Sequence, residues 1–136
     1  MTLWLSGMIM TADRLNDYSL DAETTSGLVP ATDFTVNNFW ANRRAGTVEL
    51  NIYLQYTGAG ISIISGGNIG DTQCCTVPAG WRPNSASTIN GHWDDGTASG
   101  GFVIGTDGIC TLRTSNGSAI ATGRNLRLHI VFNQEP

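Results

Sequence analysis

The sequence predicts an all-β fold, an antiparallel β-sandwich of jelly-roll type, on three observations. Apolar residues recur at every second position in several runs, most clearly in "TVELNIYLQY" (47–56) and "NLRLHIVF" (125–132). Gly, Asn, Asp and Pro, the residues of tight turns, separate those runs at short intervals. Charged residues make up 13% of the chain and glycine numbers 17, a balance that suits short strands joined by many turns around one core. That spacing predicts roughly eight strands, and a small closed barrel is the other architecture it allows.

Residues 1–20 differ from the rest. "MIMTADRLNDY" reads as a short helix with Thr11 as N-cap, Asp13 favoured by the helix dipole, and Met10 and Leu15 at the spacing of a hydrophobic staple. A helix this short is marginal alone and needs a partner surface. "DAETTSGLVP" (21–30) has no period and ends in Pro30, so it reads as a linker or extended crossing. The expected division is an N-terminal arm and linker over 1–31 and a β-domain over 32–136.

The β-domain opens where Phe34 and Val36 alternate with Thr35 and Asn37. In 47–56, Val48, Leu50, Ile52, Leu54 and Tyr56 share one face, and Glu49, Asn51, Tyr53 and Gln55 the other. "TGAG" breaks the chain and "ISIIS" starts a partner strand. After "GGNIG", "DTQCCTV" is a weaker strand ended by Pro78. "STINGH" leads into a glycine-bounded loop carrying His92, Trp93, Asp94 and Asp95. "GGFVIG", Thr106-Asp107-Gly108 and "ICTLR" form a hairpin signature with Asp-Gly at its turn. "SNGS" marks another turn, and the last strand points Leu126, Leu128, Ile130 and Phe132 inward. Ile61, Ile63 and Ile64 place apolar groups on both faces, which predicts burial beyond one sandwich and hence an oligomer.

Charge and motifs exclude several function classes. The net charge is −4 and all seven basic residues are Arg; with no basic stripe, nucleic-acid binding is not expected. No apolar run reaches the ~18–20 residues of a membrane helix, so no membrane insertion is expected. "MTLWL" lacks the basic and apolar regions of a signal peptide, so synthesis in the cytoplasm is expected. Cys74, Cys75 and Cys110 are an odd count, which argues against a disulfide framework, although a bridge from Cys74 or Cys75 to Cys110 stays open. Cys74 and Cys75, adjacent on a strand, would face opposite ways. There is no Cys-x-x-Cys pair, nucleophile elbow, phosphate loop or zincin motif, so no metal, cofactor or catalytic centre is expected. A glycosidase needs two carboxylates facing one another across a sugar, and Asp94 and Asp95 would diverge on an extended backbone.

Three clusters are candidate binding sites. Aromatic faces pack on the C–H patches of sugars while carboxylates and imidazoles bond their hydroxyls. Trp93 would then be a platform, with His92, Asp94 and Asp95 around it; the other reading is a turn with Trp93 in the core. Trp81 and Arg82 lie in the proline-bracketed turn "PAGWRPN", suited to core, subunit or ligand contact. Phe39, Trp40, Arg43 and Arg44 cluster in "NNFWANRRAG", which reads as a binding loop or a strand at a subunit interface, because both favour Trp and Arg. His129, on the last strand, reads as a surface or subunit-contact residue.

Two stretches carry a resemblance. "WLSGMIMTADRLND", with Trp4, Gly7, Thr11, Ala12, Leu15 and Asn16, resembles the opening of short tail-fibre and minor tail proteins of phages of actinobacteria. "VPAGWRPNSASTINGHW" with "GGFVIGTDGICTL" resembles the head domains of phage receptor-binding proteins, through Pro78, Trp81, Pro83, Gly108 and Ile109. Together they cover about half of the chain. The resemblance implies a homotrimeric β-sandwich head in a virion tail or baseplate, made in the host cytoplasm. It would adhere without catalysis to host cell-surface saccharide, while Trp4, Thr11, Leu15 and Asn16 anchor it to other tail proteins. The chain departs from long fibres in lacking a coiled-coil or β-helical shaft, which fits a compact tip or baseplate knob. A structural virion protein, a decoration knob or tail-tip component without a receptor role, is the alternative.

Overall fold

The computed structural model describes residues 21–84 and 87–134. The expected N-terminal helix and the expected anchoring residues Trp4, Thr11, Leu15 and Asn16 lie outside them. The fold is all-β and antiparallel: a β-sandwich-like body made from one sheet that curls into a half-barrel. Its strands are β1 (Ala22–Thr24), β2 (Val29–Pro30), β3 (Phe34–Arg44), β4 (Thr47–Tyr56), β5 (Ile63–Ser65), β6 (Asn68–Thr76), β7 (Ile89–Asp94), β8 (Ser99–Ile104), β9 (Ile109–Thr114) and β10 (Asn125–Asn133). The ladder runs β1-β3-β4-β10-β7-β8-β9-β6-β2, with β5 paired to β6.

Period-two burial explains the curl. Val48, Leu50, Ile52, Leu54 and Tyr56 of β4 and Leu126, Leu128, Ile130 and Phe132 of β10 are buried on the concave side. They meet in register, Leu128 opposite Ile52 and Ile130 opposite Leu50. Each such side chain contributes ~1.5–3 kcal/mol on leaving water. Trp93, Phe102, Ile104, Leu112 and Ile69 continue the same core from β6 to β9. β2 brings the ends of the ladder together. Val29 and Pro30 pair with Thr76 and Cys75, Ala31 N–H bonds the Cys74 carbonyl at 3.0 Å, and one turn later the chain enters β3 at the opposite end of the sheet. Pro30 is tolerated because β2 is an edge strand. Residues 21–30, for which the sequence allows a linker or an extended crossing, thus supply two short edge strands.

Local irregularities correct three expectations. Alternation predicts Val36 on the same face as Phe34, yet Phe34 is buried and Val36 exposed. A register shift between Val36 and Asn38 reverses the alternation, so Phe39 and Ala41 become the buried residues. Cys74 and Cys75 do not face opposite environments: both are buried, with a register shift between Gln73 and Cys75. "ISIIS" is no partner for β4. β5 is a three-residue strand on β6, Ile61 instead bridges to the buried Ile120, and Ile64 is exposed.

The turns follow their chemistry. β3 and β4 join through Ala45-Gly46, both at positive φ (49° and 81°), the backbone of a two-residue type I′ hairpin. The β8–β9 turn carries Asp107-Gly108 as expected. Asp107 Oδ1 accepts from Ile109 N–H at 3.0 Å and Gly108 N–H donates to the Gly105 carbonyl at 2.9 Å.

Candidate functional site

On the convex side, the residues that alternation turns away from the core fall into two rows across four strands. Register places Asn38 opposite Tyr53, Tyr53 opposite Arg127 and Arg127 opposite Asp94. Two residues along, Trp40 lies opposite Asn51, Asn51 opposite His129 and His129 opposite His92. These eight residues line an open groove of ≈ 430 Å³, within the ~300–1,000 Å³ range of small-ligand clefts.

The groove combines aromatic surface with polar groups of both signs. Arg127 stacks on Tyr53, its guanidinium carbon 4.6 Å from the ring centroid, a cation–π contact that ties the two side chains together. Half-buried Trp40 points its Nε1 toward Glu23 Oε2 at 3.4 Å. His129 Nε2 lies 3.4 Å from Glu49 Oε2, and Asn51 Nδ2 donates to Glu49 Oε1 at 3.0 Å. Asp94 accepts from Gly96 N–H through Oδ1 at 2.7 Å. His92 is exposed and its side chain makes no hydrogen bond or ion pair with another described residue, so its imidazole is available to a ligand.

The HWDD stretch is divided rather than gathered. It is not a loop: His92, Trp93 and Asp94 belong to β7. Strand alternation sends His92 and Asp94 to the groove and Trp93 to the core. Trp93 is 0% exposed, so the expected platform has no face to offer; its Nε1 donates to the Thr114 carbonyl at 2.8 Å. Gly100 makes this possible, since a Cβ there would sit 1.9 Å from the Thr114 carbonyl oxygen. Asp95 is withdrawn too. Its Oδ1 accepts from Thr97 N–H (2.8 Å) and Ala98 N–H (2.6 Å), folding the β7–β8 turn, and its Oδ2 faces Arg124 at 3.7 Å.

Trp81 and Arg82 are engaged elsewhere. Arg43 lies over the Trp81 ring at 4.9 Å and donates to the Gly80 carbonyl at 2.8 Å and to Gln134 Oε1 at 3.2 Å. Arg82 Nε donates to the Val77 carbonyl at 2.7 Å. The cluster clamps the proline-bracketed turn against the end of β3. "NNFWANRRAG" is likewise no loop, since it lies in β3 and its hairpin turn. Phe39 is core, Trp40 joins the groove, Arg43 is the clamp, and exposed Arg44 donates to the Ala22 carbonyl at 3.2 Å.

Tyr53, Arg127, Asn38 and Asn51 were not singled out from sequence, and His129 was read only as a surface or subunit-contact residue. The signal was present in the polar phase of the two clearest strands, Glu49-x-Asn51-x-Tyr53 and Arg127-x-His129. What it lacked was the pairing of β4 with β10.

Among the described residues, no three His, Cys, Asp or Glu side chains are grouped to hold a metal ion, and no helix is long and apolar enough to cross a membrane. The three cysteines are free and buried. The Cys110 pKa is pushed well above the ordinary thiol value of 9.0 by its contact with the Cys75 thiol and by burial. For Cys75 the Cys110 contact acts downward, but the Cys74 thiol and burial outweigh it and the net direction is also well up. Both stay neutral thiols, poor nucleophiles and poor ligands. No protein-family model and no curated protein matches the chain.

Proposed function

We propose that this chain is a non-catalytic saccharide-binding protein of a phage tail or baseplate, and that the convex groove is its binding site. The observation that carries the reading is the pair of registered rows, Asn38–Tyr53–Arg127–Asp94 and Trp40–Asn51–His129–His92. They set two aromatic rings among amide, imidazole, guanidinium and carboxylate groups on a rigid sheet, the combination that recognises sugar C–H faces and hydroxyls together.

Binding rather than hydrolysis agrees with the carboxylates at hand. Asp94 and Glu49 are two strands and four residues apart, roughly 16 Å between Cα atoms from sheet spacings, against the ~5–9.5 Å between carboxyl groups that glycosidases use. Asp95 is held in its turn. A single open groove binds weakly, on the order of 1 mM or about −4 kcal/mol. Assembly as a trimer on a virion multiplies that by ~10²–10⁴ through avidity.

The test is adhesion of the purified chain to host cells and to their isolated surface glycans, with Trp40→Ala and Tyr53→Ala as probes. Each substitution weakens binding by about tenfold or more, while circular dichroism and sedimentation stay those of the parent. Host adhesion that survives both substitutions together overturns the site. Loss of assembly with adsorption intact favours the purely structural virion role.

A further inference from the structure

We propose that the saccharide surface is one continuous track that crosses Gly101 into a second cleft and holds an internal stretch of a linear, uncharged glycan. This rests on the reading of the Trp40–His92 groove as a saccharide site. His92 pairs directly with Gly101 on β8. Beyond Gly101 lies a second cleft on the same convex face, ≈ 440 Å³, lined by Asn68, Asn90, Val103, Arg113 and Thr114. At every other strand crossing of the row Trp40–Asn51–His129–His92 a side chain stands up from the sheet; at Gly101 none does. A Cβ there would already press on Thr114 Oγ1 at 3.3 Å. Among the described residues the two clefts therefore meet over a saddle with no wall, and recognition of a chain end needs a wall.

Size and charge narrow the occupant. From β3 to β9 the track crosses five strand spacings, ~24 Å along the sheet, and one sugar unit is about as long as one spacing, so about five units fit. Among the described residues, each arginine along it has an acid beside it. Arg127 is in register with Asp94, and Arg113 Nε is 2.7 Å from Asp71 Oδ1. With its described arginines so compensated, the track suits hydroxyl-rich neutral chains and not uronate or phosphate polymers.

Heteronuclear NMR titration of the intact chain tests this, with malto- and chito-oligosaccharides from disaccharide to octasaccharide and oligogalacturonides as the anionic series. Short neutral chains should shift Trp40, Tyr53 and His129 alone. From about the pentasaccharide, shifts should extend to Asn90, Val103 and Arg113, with affinity rising on the order of tenfold over the trisaccharide. Gly101→Gln, which raises a side chain on the saddle, should abolish that length gain. Arg113→Ala, which leaves the saddle backbone unaltered, should reduce it and covers the case in which Gly101→Gln fails to fold. Octasaccharides that shift only the first groove and bind no tighter than trisaccharides overturn the track and leave the first site standing. Tighter binding of oligogalacturonides overturns the charge assignment. No neutral chain shifting the first groove removes the saccharide reading itself, and the track with it.

Discussion

Asp94 and Asp95 are chemically identical neighbours with different work. Asp94 lies on the convex face with one oxygen bonded to Gly96 N–H. Asp95 is fully buried at its side chain and holds Thr97 N–H, Ala98 N–H and the approach of Arg124. Removing the second carboxylate takes the acceptor from Thr97 N–H and from the part-buried Ala98 N–H, so Asp95→Ala should cost about 1–3 kcal/mol and Asp94→Ala about 0.5–1 kcal/mol. Urea midpoints compare them directly; a larger loss at Asp94 would contradict the assignment. Trp93 obeys the same logic. Its position between two exposed strand residues, His92 and Asp94, dictates an inward indole, and Gly100 clears the space that its Nε1 needs to reach Thr114.

At the scale of elements, the β3–β4 hairpin carries an avoidable strain. Ala45 occupies a φ of 49° in a two-residue turn, a conformation that Asn adopts at less steric cost than Ala. Ala45→Asn keeps the N–H that bonds Asp21 Oδ1 at 2.8 Å and should stabilise the chain by about 0.5–1 kcal/mol. The readout is a rise of a few degrees in Tm, whereas a fall would show that the Ala45 methyl makes a contact worth more than the strain. β3 also illustrates how one inserted residue redirects a surface. Had the alternation begun at Phe34 run unbroken, Trp40 would have pointed into the core and Phe39 out; the shift after Val36 exchanges them and places Trp40 in the groove.

For the whole molecule, the pair of cross-strand thiols predicts an alkaline limit to stability. Cys75 and Cys110 are raised in the folded chain above the usual 9.0, so the unfolded chain loses these protons first. Their contribution is complete below pH 9.0 and is lost as pH rises from there through the folded-state values. The stability of the native chain against urea should therefore fall more steeply above pH 9.0 than that of the Cys75→Ala, Cys110→Ala double variant; parallel profiles would show that the thiols ionise alike in both states. The composition, the turn residues and the period-two runs of β4 and β10 were enough to specify an antiparallel all-β body, its main core residues and its Asp-Gly hairpin, because alternation and turn chemistry are local properties of the chain. The groove was half legible. His92, Asp94 and Trp40 stood out as polar and aromatic clusters, but Trp93, Asp95, Trp81 and Arg82 did so equally and serve the core, a turn and a clamp. Which of them share a surface depends on β4 lying beside β10 and β10 beside β7, pairings between segments tens of residues apart. The register shift after Val36 then inverts the facing of the rest of β3. Neither long-range pairing nor a one-residue slip leaves a periodic trace along the chain, and so the site exists only once β3, β4, β10 and β7 have paired.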